Sequence, residues 1–411
     1  MSLTANPAWR ALRDADWLNA ERARVYPRLL LAASLALALI WIAIAVVHGG
    51  VDAAGKPLGT DFVSFWTASQ LTLQGRAVEA YDFAAHWAAQ KALFGPDVGY
   101  AAFFYPPPYL IVCAPLAALP YFWSLAIWLF ATGLAYWRAL RAWAGPHFEA
   151  AVLFAFPAFL SNAGHGQNGF LSAALLGGGA LLLSRRPFVA GLLFGALVFK
   201  PQLALMIPFA LIAARRWTTL AVTAATAAAI CLISSGIWGE AVWRAFFDAA
   251  PLARAALERH LVGDEKMQSA FAAIRLLHGP LALAYAAQIA AALAGVASLF
   301  WLQRREFRGP REAPALIAAT LLASPFLLDY DLTSLAFPLI FLARRGLGQG
   351  FAPFEKSLLL LAYLLPLLSR ILAGALLLPI APPVLLAVLW FVVRQRAPEN
   401  PARPLIATTE S

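Results

Sequence analysis

The feature that most constrains this chain is a series of long apolar runs, several of which end in a pair of arginines. Apolar residues make up 62% of the 411 residues and charged residues only 13%, a composition typical of polytopic membrane proteins. Within a bilayer the backbone must satisfy its own hydrogen bonds, and a helix does so within one segment. The sequence therefore predicts an all-α polytopic membrane protein built as one membrane domain.

The arginine pairs indicate how the chain is oriented. Cytoplasmic loops are enriched in lysine and arginine, so a pair at the end of an apolar run marks an inner turn. The net charge of +10 is then a property of these loops. The basic residues form no contiguous patch in the sequence, so a nucleic-acid partner is not expected. We expect a bacterial-type plasma (inner) membrane protein with both termini in the cytoplasm. The pairs are Arg185-Arg186, Arg215-Arg216, Arg304-Arg305 and Arg344-Arg345.

The apolar runs predict about twelve transmembrane helices, with one re-entrant or short segment at residues 108–119, where 12 residues between prolines are too few for a crossing. Helical spacing in the first outer loop predicts helices that lie at the membrane interface. Two cysteines within apolar runs offer no metal cluster, and neither a cofactor nor a metal is expected. The predicted divisions are a cytoplasmic amphipathic segment, 1–28; the membrane domain, 29–394, with long outer loops at 48–107 and 237–280; and a disordered cytoplasmic tail, 395–411.

Polar residues interrupt the apolar pattern at four places on the outer side of this topology. An acid, a histidine and a lysine that meet near a membrane surface are sufficient for acid–base chemistry on a phosphorylated substrate. The four segments therefore predict one outward-facing site. They contain Asp61; His165, Gln167 and Asn168; Lys200 and Gln202; and Asp329, Tyr330 and Asp331.

Each of these segments also has a structural interpretation. Asp61 follows Thr60 at the start of a helix, where aspartate is a favoured cap. Lys200 precedes a proline and could be a snorkelling lysine at a kink. The sequence leaves these alternatives open, together with a carbonyl contact for His165, helix capping by Asp329 and Asp331, an interfacial belt for the first-loop aromatics, and solvated charges at Arg254, Arg259 and His260.

Four blocks of sequence carry a resemblance to a known family. In order they are "DFVSFWTASQLTLQGRAVEAYD", "FFYPPPYLIVCAPLAALPYFW", "GQNGFLSAALLGGGALLLSRRPFVAGLLFGALVFKPQLALMIPFAL" and "SPFLLDYDLTSLAFPL". Together they resemble glycosyltransferase family 87, from about Asp61 to Pro338. The resemblance implies the C-type glycosyltransferase fold and inverting transfer of a mannose-like hexose. The donor would be a polyprenyl-phosphate sugar and the acceptor a lipid or glycan on the outer, periplasmic face.

The resemblance also implies roles for particular residues. Asp61 matches the acidic general base of the first outer loop. Many members carry a histidine after the serine-proline of the last block, where this chain has Phe326, so that histidine has no counterpart here. The chemistry of the donor, rather than the resemblance, predicts its phosphate ligands, because cations must meet the negative charge of the leaving phosphate. Lys200 is the first candidate, and Arg254, Arg259, His260 and Arg370 are further candidates. Other expected substrate contacts are Trp66, Tyr105, His165, Gln167, Asn168, Gln202, Asp329, Tyr330 and Asp331.

A transporter or flippase for a lipid-linked sugar is the alternative from another class. Broken helices and outward-facing cations would suit it as well. The chain shows no internal repeat, however, and its inner turns offer arginines but no second polar site. These features favour the transferase, while the sugar, the acceptor, the linkage, any metal dependence and the oligomeric state stay open.

Overall fold

The computed structural model describes residues 6–52, 55–305 and 309–395. Within these ranges the chain is helical and contains no β-strand, only two isolated bridges. The first five residues of the expected amphipathic segment and residues 396–411 of the expected tail lie outside the described part. The N-terminal portion forms α1 (Pro7–Arg13) and α2 (Ala20–Val47).

The expected first outer loop, residues 48–107, forms a packed substructure. It contains α3 (Phe62–Leu73), a 3-10 turn (Ala77–Tyr81) and α4 (Phe83–Phe94). Nine of the twelve residues of α3 are buried, so this helix is packed within the protein, and its position at the membrane interface stays a prediction. The helical spacing was correct, but the α3 surface faces protein on nearly every side, against α4, α5 and α6. Here α5 is Pro108–Cys113 and α6 is Tyr121–Ala144.

Short helical segments follow α6, and three of them, α8, α10 and α11, begin at a proline. Proline suits the first turn of a helix, where its missing N–H would have no partner, and it ends the helix before it. Backbone interrupted within the membrane must be lined by protein or water. This part of the chain is therefore suited to enclose a site. The helices are α7 (Ala150–Phe154), α8 (Pro157–His165), α9 (Gly169–Leu182), α10 (Pro187–Gly195), a 3-10 turn (Ala196–Phe199), α11 (Pro201–Ala204) and α12 (Ile207–Ala213).

The longest helix, α13 (Trp217–Glu258), bends at Gly239, whose φ of 75° is in the region that favours glycine. Its 42 residues would extend about 63 Å if straight, twice the thickness of the hydrocarbon core. The bend therefore separates a crossing from a second half that lies over the cavity described below. Much of the expected outer loop 237–280 is thus helical, with a 3-10 turn (Asp264–Lys266) and α14 (Ala270–Leu276) completing it.

The remaining helices place α16 at the centre of the molecule. Eleven of the twelve residues of α16 are buried, and it packs against α9, α15, α17 and α19. A buried ion pair of 2.5 Å between Arg216 and Glu312 holds its first turn against the start of α13. These helices are α15 (Leu281–Arg305), α16 (Glu312–Ala323), a 3-10 segment (Asp329–Leu335), α17 (Ala336–Gln349), α18 (Glu355–Leu376) and α19 (Ala381–Arg394).

Four helices, α2, α13, α15 and α18, are long and apolar enough to cross a bilayer. Six further apolar helical segments in the described residues are 10–17 residues long. The chain is accordingly an all-helical membrane protein. The number of about twelve crossings and the C-type fold stay predictions, because length and composition identify four complete spans among the described residues.

Candidate functional site

One cavity of about 670 Å³ brings together residues from all four predicted polar segments. Its volume is in the range of small-molecule sites in proteins. Its walls come from α3, the chain before α5, the break between α10 and α11, the second half of α13 and the segment after α16. The polar residues that line it are Asp61, Tyr100, Tyr105, Gln167, Lys200, Gln202, Arg254, Lys266, Tyr330 and Asp331.

A glycine turn after α8 positions Asp61 against Gln167. The backbone N–H of Asp61 donates to the carbonyl of His165 at 3.0 Å. Gly166 follows with a φ of 61°, and a Cβ there would lie 2.6 Å from Cβ of Phe62. Only glycine allows this close approach, so the turn and the first residues of α3 are fitted to each other.

The carboxylate of Asp61 faces the cavity. Its Oδ2 accepts a hydrogen bond from Nε2 of Gln167 at 3.2 Å. Asp61 occupies the cap position of α3, but its side chain makes no capping hydrogen bond. The geometry therefore favours an Asp61 side chain that is available in the cavity over one that is engaged in capping α3.

Gln167 connects three segments of the chain. Its Nε2 also donates to the hydroxyl of Tyr330 at 3.2 Å, and its Oε1 accepts from the hydroxyl of Tyr105 at 3.2 Å. The backbone N–H of Asn168 donates to the same oxygen at 2.7 Å. Gln167 is 4% exposed, and with both ends of its amide bonded it has one orientation. It thereby fixes the rotamer of Asp61.

Lys200 and Asp331 form a buried ion pair in the wall of the cavity. Nζ of Lys200 lies 2.5 Å from Oδ1 of Asp331 and 2.9 Å from Oδ1 of Asn168. The lysine side chain is 3% exposed, so it does not reach to the membrane surface as a snorkelling lysine would. Its charge is balanced by Asp331, which leaves less of it for a phosphate.

Two other cations line the cavity. Arg254 is exposed and pairs with Glu258 at 2.7 Å, one turn later in α13. Lys266 is half-buried, and no carboxylate of the described residues lies within 4 Å of its ammonium group. Sequence reasoning placed Lys266 in the outer loop but not in the site. In the sequence, Lys266 stands between the acidic Asp264-Glu265 pair and the apolar Met267. This position does not predict whether its side chain points towards the site.

Some expected substrate contacts lie outside the cavity lining. Nε1 of Trp66 donates to the carbonyl of Leu119 at 3.1 Å, and the indole packs in the core. Nδ1 of His165 lies 2.8 Å from the carbonyl of Ser161, as its structural interpretation proposed. Oδ1 of Asp329 accepts from the N–H of Tyr330 at 2.8 Å. These three side chains lie behind the residues that line the cavity. Asn168 is also outside the lining, and it accepts a hydrogen bond from Lys200.

Three expected phosphate ligands are also outside the lining. Arg259 is exposed at the end of α13. His260 is bonded to Asp264 and to Arg275. Arg370 is 40% exposed and lies 3.9 Å from Asp329. Arg259, His260 and Arg370 therefore lie near the cavity but do not line it. The expected site residues that do line it are Asp61, Tyr105, Gln167, Lys200, Gln202, Arg254, Tyr330 and Asp331.

Apolar side chains form most of the remaining wall. Phe326, which stands where the resemblance would place a histidine, is among them and adds no charge. A long apolar wall beside a polar group suits a ligand that is part lipid and part sugar. The apolar lining includes Phe65, Phe83, Phe104, Phe199, Phe246, Leu252, Leu257, Leu261, Phe326 and Leu328.

The fold and the cavity thus define a polytopic membrane protein with an oriented carboxylate in a partly apolar site. The family model of glycosyltransferase family 87 matches residues 103–325, more than half of the chain. The chain therefore belongs to glycosyltransferase family 87 and is a glycosyltransferase. No curated protein and no solved structure matches it. The matched segment contains Tyr105, Gln167, Lys200 and Lys266, whereas Asp61, Tyr330 and Asp331 lie outside it.

Proposed function

We propose that the protein transfers a hexose from a polyprenyl-phosphate sugar to a hydroxyl group of a lipid or glycan acceptor. Transfer would take place at the outer face of the plasma membrane, with inversion at the anomeric carbon. The single observation that carries the proposal is the Asp61 carboxylate, held by Gln167 at the wall of a cavity that is otherwise largely apolar. Family membership supports transfer over the alternative of lipid-linked sugar transport.

Asp61 acts as the general base. A sugar hydroxyl loses its proton only with difficulty near neutral pH, so a positioned carboxylate that accepts the proton lowers the barrier. Oδ2 is engaged by Gln167, and within the described residues Oδ1 accepts no hydrogen bond. Oδ1 takes the proton while the acceptor oxygen bonds to the anomeric carbon. The bond from that carbon to the phosphate oxygen breaks, and its electron pair leaves with the phosphate.

The leaving phosphate is stabilised by cations at the cavity. A developing negative charge is stabilised most by charges that are in place beforehand. Lys266 is the best placed of the cations because it lacks a carboxylate partner in the described structure, and Arg254 is the next. Lys200, with its charge balanced by Asp331, holds the wall of the site in shape.

The apolar wall receives the carrier chain of the donor. Burial of each CH₂ group contributes about 0.8 kcal/mol, so an isoprenoid chain along the phenylalanines would add substantially to donor affinity. The first outer loop and the second half of α13 both contribute to this cavity. By the positive-inside pattern of the arginine pairs, these two segments belong on the outer side.

The test is transfer of labelled sugar from a panel of polyprenyl-phosphate hexoses, using membranes that contain wild type, Asp61→Asn or Asp82→Asn. Asp82 is a matched control, since it is in the same loop, caps α4 through the N–H of Ala85 and lies outside the cavity lining. Asparagine caps a helix as well as aspartate does, so Asp82→Asn should retain transfer.

One donor should support transfer in wild type and Asp82→Asn, and Asp61→Asn should reduce the rate by about 10²–10⁴-fold at equal protein level. Full activity of Asp61→Asn would show that Asp61 is not the general base. Transfer from nucleotide sugars alone, with every lipid-linked donor inert, would overturn the donor class.

A further inference from the structure

A second cavity lies between the C-terminal ends of α15 and α19. Its volume is about 480 Å³, and it is separate from the first cavity, with which it shares no lining residue. Two arginines, two tryptophans and small or apolar side chains line it. These are Ala297, Ser298, Phe300, Trp301, Arg304, Trp390, Val393 and Arg394.

The two arginines give this groove a positive charge that nothing described nearby balances. No carboxylate of the described residues lies within 4 Å of Arg304 or Arg394. The guanidinium of Arg394 stacks on the ring of Phe391 at 3.6 Å, a contact that leaves its in-plane N–H groups available. Cations at helix C-termini also complement the helix dipole, but that effect requires no cavity beside them.

The apolar part of the groove is exposed at the surface of the protein. Phe300, Trp301 and Trp390 are 41%, 40% and 61% exposed, on two apolar helices that pack against each other. Tryptophan near the end of a membrane helix is typical of the level of the lipid headgroups. A basic pocket between membrane helices at this level is a site for an anionic headgroup, with the acyl chains lying along the apolar surface.

We propose that this groove binds one anionic glycerophospholipid of the surrounding membrane, with its phosphate between Arg304 and Arg394. The charge of the groove selects an anionic lipid. The groove lies at the ends of α15, which is long and apolar enough to cross the membrane, and of the apolar helix α19, and this position makes the bilayer the source. The site is next to the start of α16, because Nη1 of Arg311 donates to the carbonyl of Val393 at 3.0 Å. It therefore lies at the end of α16 opposite to Tyr330 and Asp331.

The experiment is native mass spectrometry of the full-length protein, exchanged into an equal mixture of phosphatidylglycerol and phosphatidylcholine. The pair Arg304→Gln/Arg394→Gln is compared with Arg185→Gln/Arg186→Gln, which removes the same charge from two exposed arginines outside both cavities. At about 1 kcal/mol per arginine, the groove pair should lose roughly 30-fold in affinity for one phosphatidylglycerol, and the control pair should retain it.

Equal retention of phosphatidylglycerol by the two variants would overturn the site. A chain segment or a second copy that filled the groove would give this same result. Equal loss of phosphatidylglycerol and phosphatidylcholine from the groove pair would overturn the role of charge. If the groove pair does not fold, the single Arg394→Gln tests the same contact, with an expected loss of about 5-fold. No loss in that folded variant would equally contradict the proposal.

Discussion

Asp61 and Gln167 are 106 residues apart in the sequence, yet Nε2 of Gln167 lies 3.2 Å from Oδ2 of Asp61. The same glutamine holds Tyr105 and Tyr330. The proposed base is thus oriented by a residue inside the segment that matches the family, although Asp61 itself precedes that segment.

Gln167→Glu should shift the acid limb of the pH–rate profile to higher pH by about one unit or more. Two carboxylates that share a site resist being ionised together, so the base is lost at a higher pH than in wild type. Gln202→Glu is the matched control, because it adds a carboxylate to the same cavity without a hydrogen bond to Asp61. Identical shifts in both variants would show that Gln167 does not act through Asp61.

Lys200→Met should destabilise the protein by about 3–5 kcal/mol, because it leaves Asp331 buried without its counter-charge. The double variant Lys200→Met/Asp331→Leu should recover a large part of that loss. Thermal unfolding of the purified protein measures both, with Lys266→Met as a control that removes a cavity cation lacking a described carboxylate partner. A Lys200→Met protein as stable as wild type but inactive would assign Lys200 to the substrate instead.

Lys266→Gln should raise KM for the lipid-linked donor by about 10-fold or more, with a smaller effect on the acceptor. A hydrogen bond to a charged group contributes about 1.5–3 kcal/mol. Arg259→Gln, in the same outer region but outside the cavity lining, should leave donor KM near that of wild type. A larger rise in donor KM for Arg259→Gln than for Lys266→Gln would assign the phosphate to Arg259, one of the further cations expected from the sequence.

His86 should make the first outer loop sensitive to acid. The imidazole is buried against Ser64, Thr67 and Gln90, and burial lowers its pKa to about 4. The unfolded chain binds a proton near pH 6.5, so the stabilisation is complete above that pH. It is lost progressively as pH falls towards 4, by about 3 kcal/mol in total.

Unfolding midpoints measured between pH 7.5 and 4.5 would test this dependence. His86→Gln should flatten it, whereas His48→Gln, which changes an exposed histidine, should not. Unchanged dependence in His86→Gln would place the acid sensitivity elsewhere.

The sequence predicted the helical class and which polar segments meet, because apolar runs predict helices and the arginine pairs predict that the four polar segments share one side of the membrane. It did not predict pairing. Lys200 and Asp331 were both expected to contact substrate, but they contact each other, since a buried charge is stable only beside its opposite. That choice depends on distances across 131 residues of chain, which no local pattern encodes.

Trp66 shows a second limit. Its spacing in α3 was read correctly as helical, but an indole serves equally well at an interface, in a core or against a sugar. The partner decides among these, and here the partner is the carbonyl of Leu119. Lys266 shows the converse, because a lysine in a loop gives no sign of its direction until the bend at Gly239 places α13 over the cavity.

Because the charges of Lys200 and Asp331 balance each other, the electrostatic potential of the first cavity depends mainly on its other charged residues. Arg254 is compensated by Glu258, so the two lining charges without a described counter-charge are Asp61 and Lys266, of opposite sign. An anion in such a field is driven away from the first and towards the second. The charges of the cavity wall therefore favour one orientation of any phosphate-bearing ligand before the reaction begins, with the phosphate towards Lys266 and the neutral end towards Asp61.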